Sequence, residues 1–121
     1  MKIAGQLSQV ETGNGVMLQG DKVVFEAMAD LTGIRLLLDL AKQKEGFDYD
    51  AFFRAVAKFF CDYEPGDDNS TAPGDPVDPH PPYYVRVNFS LQHFDEFYQT
   101  YPSVKEGTPM YLAPEERILV W

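Results

Sequence analysis

At 121 residues the chain is one small domain by length, and a hydrophobic share of 45% beside 24% charged residues is the composition of a chain that folds around a modest core. A formal net charge of -9 leaves no basic patch to displace counterions from phosphates, so nucleic acid is excluded as a partner class. The single cysteine, Cys61, excludes an internal disulfide framework and leaves the redox compartment open; its place on an apolar helix face reads as a small core residue.

The opening MKIAGQLSQVETGNG has no apolar targeting core, and no later window approaches the roughly 18 apolar residues of a membrane span. The expectation is a chain without export signal or membrane segment, cytoplasmic by default. Residues 1–20 are rich in Gly, Gln and Ser and read as a loose arm with a short strand or turn at GVMLQG. Residues 21–121 read as a single domain. Its first helix runs from 21 to about 44 and stops near Gly46, after Lys42 and Lys44.

The next helix is signposted by Asp48 as N-cap, with Phe47 before it and Phe52 inside it placed as a hydrophobic staple. Phe52, Val56, Phe59, Phe60 and Tyr63 then recur at helical spacing, which predicts a core-facing helix ending at Glu64-Pro65. PGDDNSTAPGDPVDPHPP, residues 65–82, holds so many prolines and aspartates that no regular element can cross it. Too few residues follow for a second core, so it reads as a long loop rather than a domain linker.

YYVRVNFS reads as a short extended segment with Val85 and Val87 on one face and Arg86 on the other. Leu91, Phe94, Phe97, Tyr98 and Tyr101 mark a third helix ending at Pro102, and the tail offers a turn at 114–117 and a short terminal strand. The fold class is therefore mainly α: about three helices, the first two antiparallel and the third across them, with a short extended segment near the C-terminus.

The chemistry lies in VVFEAMADLTGIRLLL, residues 23–38, where Glu26 and Asp30 sit one turn apart. At about 100° per residue, Thr32, Arg35, Asp39 and Lys42 form a polar stripe, while Val23, Ala27, Ile34, Leu37, Leu38 and Ala41 lie opposite. Asp30 projects among the apolar set and Glu26 lies at its edge. A buried, unpaired carboxylate costs several kcal/mol, so the pair calls for a cation, several donors or a metal. The residues alone leave open an ion pair with Arg86, Arg54 or Lys58, or simple exposure of that face.

FEAMADLTGI resembles the second zinc motif of the neprilysin and bacterial oligopeptidase O family of zinc metalloendopeptidases, a pattern close to G-E-N-I-A-D-L-G-G. DPHPPYYVRVNFSLQHFDEFYQTY resembles that family's D-x-H-x-P-x-x-x-R-V segment and the helix after it, and GTPMYLAPEERILVW its C-terminal signature, which ends on Trp121. The resemblance covers roughly residues 16–121 and implies the fold of the C-terminal subdomain of a neprilysin-type zincin. It implies that Glu26 is the equivalent of the third zinc ligand. Asp30 would then orient a zinc-bound histidine, His80 would donate to the oxyanion, and Arg86 would bind the substrate backbone and support the aspartate.

The departures from the pattern are as informative. H-E-x-x-H, which carries two zinc ligands and the general base in that family, is absent: the two histidines are His80 and His93. Phe25 stands in place of the glycine before the ligand, Ala27 in place of the asparagine after it, and Phe60 where tryptophan is common. The expectation is a truncated metallopeptidase region, inactive alone and holding no zinc as an isolated chain. Two alternatives are half of a split endopeptidase completed by a chain bearing H-E-x-x-H, and a non-catalytic peptide- or protein-binding module. The Glu26/Asp30 face is expected to be partly exposed, or covered by an H-E-x-x-H-bearing partner chain or a homodimer. His93 with Asp95 and Glu96 reads as a polar flank between core aromatics rather than a metal cluster, and the acidic run from Asp62 to Asp78 as a solvated loop rather than a calcium loop.

Overall fold

The structure, a computed structural model, describes residues 2–11, 15–61 and 81–121, with only the backbone of Cys61. The expected 65–82 loop up to residue 80, the acidic run, the Cys61 side chain and His80 therefore lie outside the described residues. Among the described residues five helices appear in chain order: α1 (Lys2–Leu7), α2 (Gly20–Ala41), α3 (Tyr49–Cys61), α4 (Tyr83–Leu91) and α5 (Asp95–Thr100), followed by a 3₁₀ turn at Pro114–Glu116. The fold is mainly helical as expected, and the described residues contain no β-strand, only an isolated antiparallel bridge between Glu11 and Met17.

Several segments depart from the sequence expectation. The arm is not loose: Ile3, Ala4 and Leu7 follow helical spacing and are buried as α1 packs on α2. The contact is close because Gly20, at the start of α2, has no side chain. A Cβ there would meet the Ala4 carbonyl, and the Gly20 N–H donates instead to the Ser8 hydroxyl at 3.2 Å. YYVRVNFS is not extended but forms α4. Its alternating Val85, Val87 and Phe89 imitate a strand, yet Ser90 and Leu91 are buried too. A helix enclosed on most of its circumference has no polar face to reveal its period. The ordered turn at 81–82 starts it: the Pro82 carbonyl accepts from the Val85 and Arg86 N–H groups at 2.9 and 3.0 Å.

The α3 start follows its sequence signals. Asp48 Oδ1 accepts the Ala51 N–H at 2.9 Å, and the Phe47 and Phe52 rings close the staple with centroids 6.0 Å apart. Gly46, at φ +69°, turns the chain between α2 and this cap with a backbone that a side chain would strain.

The main helix contacts are α1 on α2, α4 on both α2 and α3, and α5 on α3. The core runs through Leu31, Leu38, Phe53, Val85, Phe89, Phe94 and Phe97, with Phe53 edge-on to Phe97 at 5.7 Å. The third expected helix is shorter than its sequence pattern predicts. α4 stops at Leu91, Phe94 is extended, and only Asp95–Thr100 is helical.

The C-terminal segment has no strand. Side chains tie it across the helices: Lys2 Nζ and Gln6 Nε2 donate to the Glu115 and Glu116 carbonyls, both at 2.7 Å, and Trp121 Nε1 donates to Asp39 Oδ2 at 2.8 Å. No helix among the described residues is long and apolar enough to cross a membrane.

Candidate functional site

α2 sorts its side chains into three sectors, and the carboxylates lie at the core-side edge of the exposed apolar one. Val23, Val24, Ala27, Leu31, Ile34, Leu38 and Ala41 face the core. Phe25, Leu36, Leu37 and Leu40 are largely exposed, with Phe25 at 79%. On a wheel of about 100° per residue, Asp30 falls between this exposed apolar sector and the core, and Glu26 falls within the exposed sector, between Leu40 and Leu37. Glu26 is half-buried, and the Asp30 side chain keeps only 8% of its exposure.

Asp30 is neutralised by Arg86. From α4, Arg86 Nε donates to Asp30 Oδ2 at 2.9 Å and Nη2 to Oδ1 at 2.8 Å, the two-pronged geometry in which a planar guanidinium matches a carboxylate. Of the three cations open to it from sequence, Arg86 is the one that reaches the aspartate. The Phe60 ring of α3 lies against the other side of the pair, 4.6 Å from the Arg86 guanidinium carbon. Three helices thus converge on one carboxylate. The 56-residue separation of Asp30 and Arg86 is closed by the α2–α4 packing.

Beside the pair runs an apolar groove of about 410 Å³ between α2 and α3. Ala29, Asp30, Gly33 and Leu37 line one side, and Phe52, Val56 and Phe59 the other. Phe59, core-facing by its spacing, is 78% exposed, because α3 turns its Phe53 edge to the core and its Phe59 edge to the groove. The sequence signal for this second face is excess: Phe52, Phe53, Phe59 and Phe60 are more aromatic surface than one buried stripe of a 13-residue helix can hold.

The polar stripe of α2 also behaves differently from its sequence pattern. Arg35 is largely buried and pairs with Glu96 of α5 at 3.1 Å and Asp39 at 2.9 Å. His93 and Glu96, a polar flank by sequence, are both buried and point to different partners, Ile118 and Arg35.

The donor set bears on metal binding. Among the described residues no group of three His, Cys, Asp or Glu side chains could hold a metal ion. These residues do not amount to a zinc site, for which three protein ligands converge.

The model of peptidase family M13 matches residues 1–118, nearly the whole chain. The chain belongs to peptidase family M13. Among similar proteins, the neutral endopeptidase of Lactococcus lactis subsp. lactis (strain IL1403) is 35% identical over 112 residues, covering 93% of this chain and 17% of the relative. A neutral endopeptidase of Lactobacillus helveticus is 30% identical over 123 residues, covering 99% of this chain and 18% of the relative. The chain thus spans less than a fifth of the length of these M13 relatives. No solved structure matches. Family membership carries zinc metallopeptidase chemistry as the expectation for a whole M13 protein.

Proposed function

We propose that these residues form the carboxylate-bearing wall of an M13 zinc peptidase site and do not hydrolyse peptides by themselves. The donor set supports this reading. Asp30 is bound through both oxygens to Arg86, and among the described residues no group of three His, Cys, Asp or Glu side chains could hold a metal ion. In this reading Glu26 is the ligand that joins histidines supplied from outside the 121 residues. Asp30, held in one orientation by Arg86, keeps a second lone pair on each oxygen for a histidine ring N–H. His80 and Arg86 would face the peptide. The test is metal analysis and peptide cleavage on the purified chain loaded with zinc. The expected result is neither stoichiometric zinc nor turnover; one tightly held zinc per chain with chelator-sensitive hydrolysis would overturn the proposal.

A second reading, one half of a split endopeptidase, is favoured by the open groove. Its apolar walls flank Asp30, and Ala29 and Gly33 place little bulk on the α2 side, so a helix could lie close against the carboxylates. Its partner is a chain bearing H-E-x-x-H. Mixing this chain with a separate M13-type chain bearing H-E-x-x-H tests it directly. Zinc-dependent hydrolysis that needs both pieces and is lost in Glu26→Gln supports the split reading; no complex and no turnover at micromolar concentrations removes it.

A further inference from the structure

The C-terminal segment is fastened by a group that the M13 reading does not use. His93, in the turn between α4 and α5, is only 3% exposed, and its Nδ1 accepts the Ile118 N–H at 2.9 Å. An accepting Nδ1 fixes the neutral ring with its proton on Nε2, and Nε2 finds no hydrogen-bond partner among the described residues. Phe89 of α4 packs edge-on against the ring with centroids 4.7 Å apart, so that side offers no polar compensation.

The charged groups around the ring are cations. Lys2 of α1 and Arg117 of the tail both act on His93 electrostatically. Asp95 of α5 is paired with Arg117 at 2.9 Å, Glu96 is turned to Arg35, and the Glu115 and Glu116 side chains are exposed. A proton taken from water onto Nδ1 would make both ring nitrogens donors. The Ile118 N–H would then face an N–H instead of a lone pair, beside two positive charges.

We propose that His93 is an acid-sensitive latch: its neutral ring holds residues 118–121 against the helices, and protonation of that ring releases them. The segment released carries Trp121, whose indole N–H bridges to Asp39 of α2. Burial, and then the Lys2 and Arg117 charges, hold the ring at about 4 while the latch is closed, against 6.5 for a free histidine. The opening equilibrium should therefore rise about tenfold per pH unit between those values, roughly three-hundredfold in all.

Amide hydrogen exchange by NMR on the whole chain, corrected for the intrinsic pH dependence of exchange, reads this directly from pH 7 to pH 4. The expected result is a steep loss of protection at Ile118 while Leu31 and Leu38 of α2 keep theirs. His93→Asn supplies an acceptor oxygen that does not titrate and should flatten the profile. Should that variant fail to fold, the His93 ring signal of the unaltered chain serves in its place, with its midpoint expected well below 6.5 and tracked by Ile118. A pH-independent Ile118, protection lost together with Leu31 and Leu38, or the same slope in a folded His93→Asn chain would each overturn the latch.

Discussion

Arg86 grips Asp30 with two nearly parallel hydrogen bonds of 2.9 and 2.8 Å, and Phe60 closes over the guanidinium. The pair is partly buried, with side-chain exposures of 24% and 8%, so losing one member strands the other in a poorly solvated place. Arg86→Leu or Asp30→Leu should each cost about 2–4 kcal/mol of folding stability, somewhat less than a fully buried pair. The double variant should cost less than the sum of the two, because neither charge is then left alone. Arg86→Lys should not restore the stability, since an ammonium cannot bond both oxygens in this geometry. Urea denaturation of the four variants beside the wild-type chain decides it; additive losses would mean that the two side chains do not act as a pair.

What can be read from the sequence follows from how each element is specified. α3 is legible because its start is encoded locally: Asp48 caps it and Phe47 meets Phe52 within one turn. Asp30 and Arg86 are legible as a possible pair but not as this one, because Arg54 and Lys58 offer equal charge and only the α2–α4 packing chooses. α4 is hidden because burial on most sides erases the helical period, leaving the alternation of Val85, Val87 and Phe89 as the visible signal. His93 is hidden for a related reason. A histidine beside Asp95 and Glu96 looks solvated, and nothing local announces that a backbone N–H 25 residues away will occupy its Nδ1.

The glycines of α2 predict opposite outcomes for the same substitution. Gly33 sits inside the helix with nothing within 4 Å of the place a methyl group would take, so Gly33→Ala should stabilise the isolated chain by about 0.5–1 kcal/mol through helix propensity alone. At Gly20 the same change drives a Cβ into the Ala4 carbonyl and should destabilise by about 1–3 kcal/mol as α1 is pushed off α2. Thermal denaturation separates them. A loss at Gly33 would mean that the α2 face there is not open.

The groove predicts how the isolated chain behaves in solution. Phe59 and Leu37 are both exposed and line the groove beside Asp30, so self-association of the chain through this face would remove apolar surface from water. Phe59→Ser should leave folding stability within about 0.5 kcal/mol, as expected for an exposed site. It should also shift the chain toward monomer in size-exclusion chromatography with light scattering. A wild-type chain that is strictly monomeric at high concentration, or a Phe59→Ser chain that unfolds, would show that the groove is closed by the chain itself.

Tyr101 and Asp50 make a prediction at the alkaline end. The Tyr101 hydroxyl donates to Asp50 Oδ1 at 2.6 Å, and Arg54 donates to both oxygens of the same carboxylate at 3.0 and 2.9 Å. Burial, then the bond to Asp50 and its negative charge, push the tyrosine up to about 12 from an ordinary 10.0. The folded chain then holds this proton in a range where the unfolded chain has released it. The contribution is therefore complete below pH 10 and is lost as pH rises from 10 toward 12. The Asp50 carboxyl is lowered, first by the Tyr101 bond and then by Arg54, so its own contribution is present above 3.8 and fades in acid. Tyr101→Phe removes the donor while keeping the ring packed on Phe53 and Phe97. The melting-temperature gap between the wild-type and Tyr101→Phe chains should be constant through neutral pH and close between pH 10 and 12. Absorbance of tyrosinate should show a late-titrating component near 12 in the wild-type chain that the variant lacks. A gap that stays constant to pH 12 would mean that the hydroxyl is not bound to Asp50.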